Sequence, residues 1–310
     1  MTARSARRTV VACLLAALAI MPGCGERKEP RAPKSLTVVR VALPELNTGL
    51  NSLLAAKGAG YFEQAGLDVI PHVSVDGAAA IQQVQQGKAL LAVAREPDVL
   101  EARGRGGRVV SVATIVQRPL TSLIGPKLSL ASIVGLATKP IGTQGLDYQQ
   151  AFAETIFRRA RVVKVGPDPA AALKSKKVSA VIAPVGHGKL PAGVNAMPVD
   201  KLKVPAFSEY VLVANQDALT RDDDLIRSFV GGLARGTRNL AGAQKVPFAL
   251  PLRGADATRM RALMLPPAGK PYGWHDAAAW RRFAAWMRAH GLSQKLPGAF
   301  TNSLLPGQGP

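Results

Sequence analysis

The sequence has few cysteines, few aromatic residues and few acidic residues. It holds 2 Cys among 310 residues, aromatic residues make up 5% of it, and 20 Asp and Glu stand against 40 Lys and Arg. So few cysteines exclude a disulfide-stapled scaffold and a zinc site built from thiolates. Hydrophobic residues still make up 47% of the chain, which is enough for a packed core and excludes a disordered protein.

The formal net charge of +20 is compatible with a nucleic-acid partner, with an anionic membrane or with simple solubility. The basic residues are scattered, and the longest cluster is Lys174, Lys176 and Lys177. No basic stripe alternates with aromatic residues, as a protein that binds single-stranded nucleic acid would need. We therefore expect no nucleic-acid partner.

No apolar run of the sequence reaches the roughly 20 residues that a membrane-spanning helix requires. Near the start, Arg4, Arg7 and Arg8 precede the uncharged and largely apolar stretch 9–23. A basic segment followed by a short apolar run is typical of an export signal. The sequence therefore predicts a signal peptide over residues 1–23.

The predicted signal ends directly before Cys24. A small residue before a cysteine resembles a bacterial lipobox, which implies that Cys24 carries a lipid and becomes the first mature residue. Pro22 departs from that pattern, and cleavage after Ala19 by an ordinary signal peptidase is the alternative. Because Cys13 would be removed with the signal, lipidation also accounts for an otherwise unpaired cysteine. Residues 24–36, rich in proline and charge, predict a solvated tether.

Apolar runs alternate with helical patterns along the rest of the chain, which indicates βαβ units and a largely parallel sheet. Strands are predicted at 38–43, 67–75, 89–94 and 109–115, and helices at 50–59, 76–86 and 97–103. Thr220 and Asp223 resemble a capping box and predict the start of another helix. A last helix, 276–290, would place Trp280 and Phe283 in the core.

A weak internal repeat favours two halves of similar design. Asp76 begins an Ala-rich helix that leads through a Lys-containing turn to a short apolar strand, and Asp168 begins the same succession later. Chance similarity in an Ala-rich chain is the alternative. The length is that of about two lobes, so we expect a two-lobed α/β protein.

The sequence lacks the common motifs of phosphate, dinucleotide, nucleophilic and metal chemistry. It has no Gly-x4-Gly-Lys-Ser/Thr, no dinucleotide fingerprint and no Gly-x-Ser-x-Gly, and its 4 His show no metal-ligand spacing. A Ser/His/Asp triad assembled from distant segments would leave no such motif, and nothing in the sequence points to one. We therefore predict no catalytic residue, no metal and no cofactor.

Several segments carry a family resemblance that covers most of the predicted mature chain. The stretch AKGAGYFEQAGLDV within 52–124, together with QRPLTSLI and FSEYVLVAN, resembles the periplasmic solute-binding proteins of ABC importers. The branch resembled contains binders of pyrimidine-type thiamine precursors, nitrate, alkanesulfonates and taurine. The resemblance implies a type II Venus-flytrap fold, in which each lobe is a mixed, mainly parallel sheet flanked by helices. Lobe 1 would comprise 37–122 plus 210–310, and lobe 2 would comprise 123–209.

The resemblance also implies a function. The protein would be exported and lipid-anchored to a membrane at Cys24, would capture a small molecule by lobe closure as a monomer, and would deliver it to an ABC permease. QRPLTSLI and FSEYVLVAN favour a pyrimidine-type thiamine precursor or a related heterocycle. The Cys-rich motif of the branch's pyrimidine-forming enzyme is missing here, so we expect no enzyme. The alternatives are a sulfonate, nitrate or taurine binder, and a secreted enzyme or a sensor with the same fold.

The first loop departs from the pyrimidine binders of the family. Those proteins resemble Trp-x-x-Asn-Thr-Asn-His-Thr-Gly in this loop, whereas the chain has PELNTGLNS at 44–52. The stacking tryptophan and the histidine are therefore missing. The identity of the solute is open at this point.

Candidate ligand contacts lie in the loops that follow the predicted strands, because ligands of open α/β sheets bind beyond the carboxyl ends of the strands. The candidates are Asn47, Thr48, Asp76, Gly77, Arg95, Glu96, Thr143, Gln144, Tyr148, His187 and Glu209. Each has a structural alternative: Asp76 as a helix cap, Arg95 and Glu96 as a mutual ion pair, and His187 as a solvated loop residue. Carboxylates at three helix starts, those of Asp76, Glu96 and Asp168, would repel an anion and accept hydrogen bonds from an exocyclic amine. They favour an amine-bearing heterocycle over a small oxyanion.

Overall fold

The structure is a computed structural model. It describes residues 35–159, 161–185, 190–240, 254–292 and 297–307. The predicted signal peptide, Cys24, most of the predicted tether and His187 lie outside the described residues. No helix in the described part of the chain is long and apolar enough to cross a membrane.

The first sheet has five strands in the order β2-β1-β3-β10-β4. They are β1 (Thr37–Leu43), β2 (Leu67–Val73), β3 (Leu91–Ala94), β4 (Val109–Val116) and β10 (Tyr210–Asn215). β1 is parallel to β2 and β3, and β10 is antiparallel to β3 and β4. Every residue of β3 and β4 is buried, as expected for strands that are covered on both faces.

The second sheet has five strands in the order β7-β6-β8-β5-β9. They are β5 (Thr121–Pro126), β6 (Pro140–Thr143), β7 (Arg161–Lys164), β8 (Ala180–Pro184) and β9 (Val194–Pro198). Three parallel strands are followed by an antiparallel one, as in the first sheet. The strands that end the two halves of the predicted repeat, β3 and β8, occupy the same central position.

The helices before and between these strands are α1 (Asn51–Gly58), α2 (Tyr61–Gln64), α3 (Gly77–Gln85), α4 (Glu96–Gly104), α5 (Leu130–Ile133), α6 (Asp147–Ile156) and α7 (Pro169–Lys174). Of these helices, α1, α3, α4 and α7 begin within one residue of their predicted starts, whereas the short helices α2 and α5 were not predicted. Asp76 caps α3 by accepting a hydrogen bond from the Ala79 N–H at 2.8 Å, and Asp168 caps α7 through the Ala170 N–H at 2.9 Å. The cap interpretation of both aspartates is confirmed.

The chain crosses between the sheets at 117–120 and again at 199–209, and its last helices follow β10. These helices are α8 (Ala218–Arg221), α9 (Asp223–Arg238), α10 (Gly254–Met264) and α11 (Ala277–Ala289). The predicted helix start at Thr220 is wrong, because Thr220 lies inside α8 and α9 begins without a side-chain cap. Trp280 and Phe283 of α11 are buried as predicted.

Two close contacts fix the position of the last helices. A Cβ on Gly236 would lie 2.1 Å from the Ser52 carbonyl oxygen, so only glycine allows α9 to pack this tightly against α1. Phe283 of α11 packs on Phe207 of the second crossing, with ring centroids 4.8 Å apart, and through it on Phe152 of α6. α11 therefore ties the second crossing to a helix of the second sheet.

Candidate functional site

A fully buried carboxylate, that of Glu209, joins the two crossings of the chain. Its Oε2 accepts hydrogen bonds from the backbone N–H groups of Leu120 and Thr121, both at 2.8 Å. Its Oε1 accepts from the Thr121 hydroxyl at 3.0 Å and from Arg95 Nε at 2.9 Å. A carboxylate offers about four lone-pair positions, so these four protein donors account for all of them. In this structure Glu209 holds the crossings together.

Arg95 follows β3 and lies between two carboxylates. Its Nε donates to Glu209, its Nη2 donates to Glu45 in a second ion pair, and the Tyr210 hydroxyl lies 3.4 Å from Nη2. The side chain is 4% exposed. Burial by itself lowers the pKa of Arg95, but Glu45 and the other nearby groups raise it well above its usual value. The guanidinium is therefore charged and its charge is fully compensated.

Glu45 and Asn47 complete this arrangement from the loop after β1. The Tyr210 hydroxyl donates to Glu45 Oε1 at 2.6 Å, and Asn47 Nδ2 donates to the same hydroxyl oxygen. Asn47 Oδ1 accepts from the Gly49 N–H at 2.8 Å, which fixes the turn into α1. The Glu45 side chain is 16% exposed, whereas that of Glu209 is fully buried. We call Glu45, Asn47, Arg95, Glu209 and Tyr210 the Arg95 cluster; it carries two carboxylates and one guanidinium.

Tyr148 brings α6 of the second sheet to the start of α4. Asp98 Oδ2 accepts a hydrogen bond from the Arg95 N–H at 2.9 Å, and burial raises the pKa of this carboxyl to about 6. The Tyr148 hydroxyl lies near the Asp98 carboxyl and lowers its pKa slightly against this rise. Among the described residues, that hydroxyl has no hydrogen-bond partner of ordinary geometry. A Cβ on Gly77 would lie 2.0 Å from Asp98 Oδ2, so α3 and α4 start in direct contact.

The loop after β6 is held by its own side chains. The Gln144 N–H donates to Gln149 Oε1 at 2.8 Å, and Gln149 Nε2 donates back to Gln144 Oε1 at 3.1 Å. Thr143 Oγ1 accepts from the Gly145 N–H at 3.3 Å. This loop has a fixed shape at the carboxyl end of β6, which is where a ligand of the second sheet would lie.

Glu96 points away from the Arg95 cluster. Its Oε2 accepts from the Ser208 N–H at 2.7 Å, and its own N–H donates to the Ser208 carbonyl oxygen at 3.2 Å. It lines a cavity of about 400 Å³ that also touches Gln117 and Trp280. Burial raises the pKa of Glu96 to about 8, with Asp276 adding to the rise against the hydrogen bonds from Ser208. Arg95 and Glu96 therefore do not form the mutual ion pair that was one interpretation of the sequence.

A family comparison decides which proteins this chain is related to. The family model described as "NMT1/THI5 like" matches residues 47–245, which is more than half of the chain. The chain belongs to the NMT1/THI5-like family. The resemblance predicted from the sequence is thereby confirmed.

Known relatives of this NMT1/THI5-like protein include two curated sequences and many solved structures. The formylaminopyrimidine-binding protein of Halalkalibacterium halodurans is 24% identical, with 89% of this chain and 92% of that protein aligned. The alkanesulfonate-binding protein SsuA of Xanthomonas axonopodis has a TM-score of 0.64 at 17% identity, covering 86% of this chain and 98% of that one. A Candida albicans protein described as having the generic periplasmic binding protein fold has a TM-score of 0.59 at 14% identity, covering 88% and 99%. The predicted two-lobed periplasmic-binding-protein fold is confirmed.

The structure of this NMT1/THI5-like protein brings some predicted contacts together and leaves others apart. Asn47, Arg95 and Glu209 meet in the Arg95 cluster, with Tyr148 close by, while Thr48 lies buried in the turn before α1. Among the described residues, no group of three or more His, Cys, Asp or Glu is placed to hold a metal ion. Sequence reasoning missed Glu45 and Tyr210: Glu45 stood in a predicted ligand loop, but Tyr210 began an apolar strand and gave no sign of a polar role.

The raised pKa of Glu96 predicts how stability depends on pH. Between the ordinary value of 4.5 and about 8 the folded protein holds a proton on Glu96 that the unfolded chain releases, so the free energy of unfolding falls as pH rises, by up to about 1.4 kcal/mol per pH unit. Glu101, with a pKa raised to about 7 by burial, acts in the same direction at lower pH. His275, with a pKa lowered to about 4 by burial, acts in the opposite direction but only below pH 6.5.

We expect Glu96→Gln to reduce the loss of stability between pH 7 and 8 by roughly 1 kcal/mol. The amide oxygen still accepts the hydrogen bond from Ser208, and only the ionisable proton is removed. Urea unfolding at several pH values measures the slope. Asp217→Asn, at an exposed carboxylate, is the matched control, and equal slopes for Glu96→Gln and the wild type would contradict the prediction.

Proposed function

We propose that this protein is the extracytoplasmic solute-binding subunit of an ABC importer, and that its solute is a small amine-bearing heterocycle of the pyrimidine type. Family membership and the periplasmic-binding-protein fold support the first part. The Halalkalibacterium relative, whose name states that it binds formylaminopyrimidine, supports the second. The observation that carries the proposal is the charge of the Arg95 cluster, in which Glu45 and Glu209 together outweigh one guanidinium.

Because the Arg95 cluster has one more carboxylate than guanidinium, it should bind an amine more tightly than an anion. Two like unit charges 4 Å apart repel by about 4 kcal/mol at the effective dielectric constant of a protein surface. A sulfonate next to Glu45 would meet this repulsion, because Arg95 already has two partners. An exocyclic amine would instead donate to Glu45, and a hydrogen bond to a charged group contributes about 1.5–3 kcal/mol. The cluster therefore suits a hydrogen-bond donor.

The proposed mechanism is capture by lobe closure, without catalysis. One lobe comprises 37–122 plus 210–310 and the other 123–209, and the proposed solute lies between Glu45 of the first and Tyr148 of the second. The two lobes move about the crossings that Glu209 holds together, which is a hinge closure. The solute shifts the population towards the closed form by its higher affinity for that form.

The remaining contacts are proposed from the sequence alone: Asn47, Thr48, Asp76, Gly77, Arg95, Glu96, Thr143, Gln144, His187 and Glu209. Glu96 and Glu209 would have to exchange their present protein donors for the solute, and His187 lies outside the described residues. The protein acts as a monomer with an ABC permease, held to the membrane by a lipid at Cys24. Labelled palmitate would be incorporated by the wild type and by Cys13→Ala but not by Cys24→Ala; incorporation into Cys24→Ala would refute the anchor.

The experiment that tests this function has two arms. Mass spectrometry of material released from the purified, denatured protein identifies the co-purified solute, and calorimetry then compares 4-amino-2-methylpyrimidine with methanesulfonate. We expect the aminopyrimidine to bind at least about 100-fold more tightly, the factor that corresponds to about 2.7 kcal/mol. Tighter binding of methanesulfonate would overturn the proposed solute class. Chemical conversion of the bound compound would overturn the proposal of a binding protein.

A further inference from the structure

One edge of the second sheet lies opposite the proposed solute site. β6, β7 and β8 are parallel, so their first residues meet at a single edge, at the far end of the strands from Thr143. β5 is antiparallel to β8, so its last residue, Pro126, lies at this edge too. The order β7-β6-β8-β5 places these four strand ends side by side, with about 4.8 Å between neighbours.

The three segments that enter or leave this edge are rich in basic residues. Segments 127–139, 158–161 and 174–179 contain eight Lys and Arg and no Asp or Glu. The eight are Lys127, Lys139, Arg158, Arg159, Arg161, Lys174, Lys176 and Lys177. All are exposed, and none forms an ion pair within the described part of the chain. The acidic residue nearest to these segments in sequence is Glu154, four residues before Arg158. Its side chain accepts a hydrogen bond from Gln150.

Two large apolar side chains project from the first of these segments. Leu130 is 71% exposed and Val134 is 76% exposed, and they lie four residues apart in the helical turns between Lys127 and Lys139. Residues at this spacing share one helix face. A capping box formed by Ser129 and Ser132 fixes the start of α5, so both side chains are held outward by a defined turn.

Cations and exposed apolar groups on one surface are typical of proteins that lie on membranes. The apolar side chains enter the headgroup region, while lysine and arginine pair with lipid phosphates. A surface for single-stranded nucleic acid would instead use aromatic side chains for stacking, and segments 127–139, 158–161 and 174–179 contain none. Duplex DNA needs only cations and would leave the exposed Leu130 and Val134 without a role. Cations that serve only solubility would not require the exposed Leu130 and Val134 beside them.

We propose that this edge, formed by segments 127–139, 158–161 and 174–179, is a membrane-binding surface for anionic phospholipids. Leu130 and Val134 insert between headgroups, and the eight cations contact phosphates. Because the edge is at the opposite end of β6 from Thr143 and Gln144, a protein bound in this way turns the proposed solute site of the second sheet away from the lipid. We call it the basic edge. It does not depend on the lipid at Cys24 or on the identity of the solute.

The test is vesicle co-sedimentation of the full chain carrying Cys24→Ala, which removes the proposed acyl chain. Vesicles of phosphatidylcholine alone are compared with vesicles containing phosphatidylglycerol. Residues 1–23 carry three Arg and would also favour the anionic lipid, but their contribution is the same in every variant and cancels when variants are compared. We expect binding to the anionic vesicles to be at least about tenfold tighter and to weaken as salt is added, because salt screens exposed charges.

Two sets of substitutions locate the surface. The triple variant Lys174→Glu, Lys176→Glu, Lys177→Glu is expected to lose at least about tenfold in affinity for anionic vesicles. The control triple Arg40→Glu, Lys88→Glu, Arg281→Glu changes the net charge equally at exposed sites elsewhere, and we expect a loss of less than about threefold.

A second variant tests the apolar part without changing charge. The pair Leu130→Ser and Val134→Ser is expected to weaken anionic-vesicle binding at least about threefold, and it keeps the proposal testable if the charge-reversed triple does not fold. Equal losses for both triples, or equal binding to the two kinds of vesicle, would overturn the proposal. So would a basic-edge triple that loses affinity for duplex DNA and keeps its affinity for vesicles.

Discussion

Replacing Glu209 by alanine is expected to destabilise the protein by about 3–5 kcal/mol, the usual cost of breaking a buried ion pair from one side. Arg95, which is 4% exposed, would lose one of its two carboxylate partners. The backbone N–H groups of Leu120 and Thr121 would lose their acceptor, and an unsatisfied buried donor costs about 1–3 kcal/mol unless water reaches it. Urea unfolding at pH 7 measures the difference.

Two controls separate this effect from a general loss of charge. Glu209→Gln keeps an oxygen acceptor for the backbone but offers an N–H group rather than a carboxylate to Arg95, so an intermediate loss is expected. Asp217→Ala breaks the ion pair between Asp217 and Arg108, whose side chains are 61% and 65% exposed, respectively. This substitution should reduce the free energy of unfolding by less than about 1 kcal/mol. A loss below that value for Glu209→Ala would show that the buried carboxylate does not join the crossings.

Much of the fold could be predicted because its signals are local. The first strand was predicted at 38–43 and lies at 37–43. The helix predicted at 76–86 lies at 77–85. Their signals, an apolar run and an aspartate cap followed by a glycine stop, lie within the elements themselves. The failed helix start at Thr220 shows the limit: a capping box was plausible in sequence, but α8 had already begun at Ala218.

The site was harder to predict because its contacts are distant in sequence. Glu45 and Tyr210 are 165 residues apart, and Arg95 and Glu209 are 114 residues apart. The rule that ligands lie beyond the carboxyl ends of strands selected the loops after β1 and β3, which hold Asn47 and Arg95 of the Arg95 cluster. It could not say which of them face each other, so Glu209 was predicted as a ligand contact although its four hydrogen bonds go to protein donors.

Glu45 is the member of the Arg95 cluster through which the proposed solute specificity can be tested most directly. Its carboxylate is partly exposed, and it contacts both Arg95 and the Tyr210 hydroxyl. Glu45→Gln is expected to weaken binding of 4-amino-2-methylpyrimidine by about 10- to 100-fold, because a hydrogen bond to a charged acceptor contributes about 1.5–3 kcal/mol. Calorimetry on the wild type and the variant measures the ratio.

The same substitution should move the affinity for an anion in the opposite direction. With Glu45 neutral, Arg95 retains one carboxylate partner, and the repulsion that disfavours methanesulfonate is reduced. Tyr210→Phe keeps both carboxylates and the ring but removes the hydroxyl that orients Glu45, so it should weaken aminopyrimidine binding less and should not improve methanesulfonate binding. If Glu45→Gln lowered the affinities for both compounds equally while the free energy of unfolding stayed constant, Glu45 would shape the site without selecting the charge of the solute, and the argument for an amine-bearing ligand would fail.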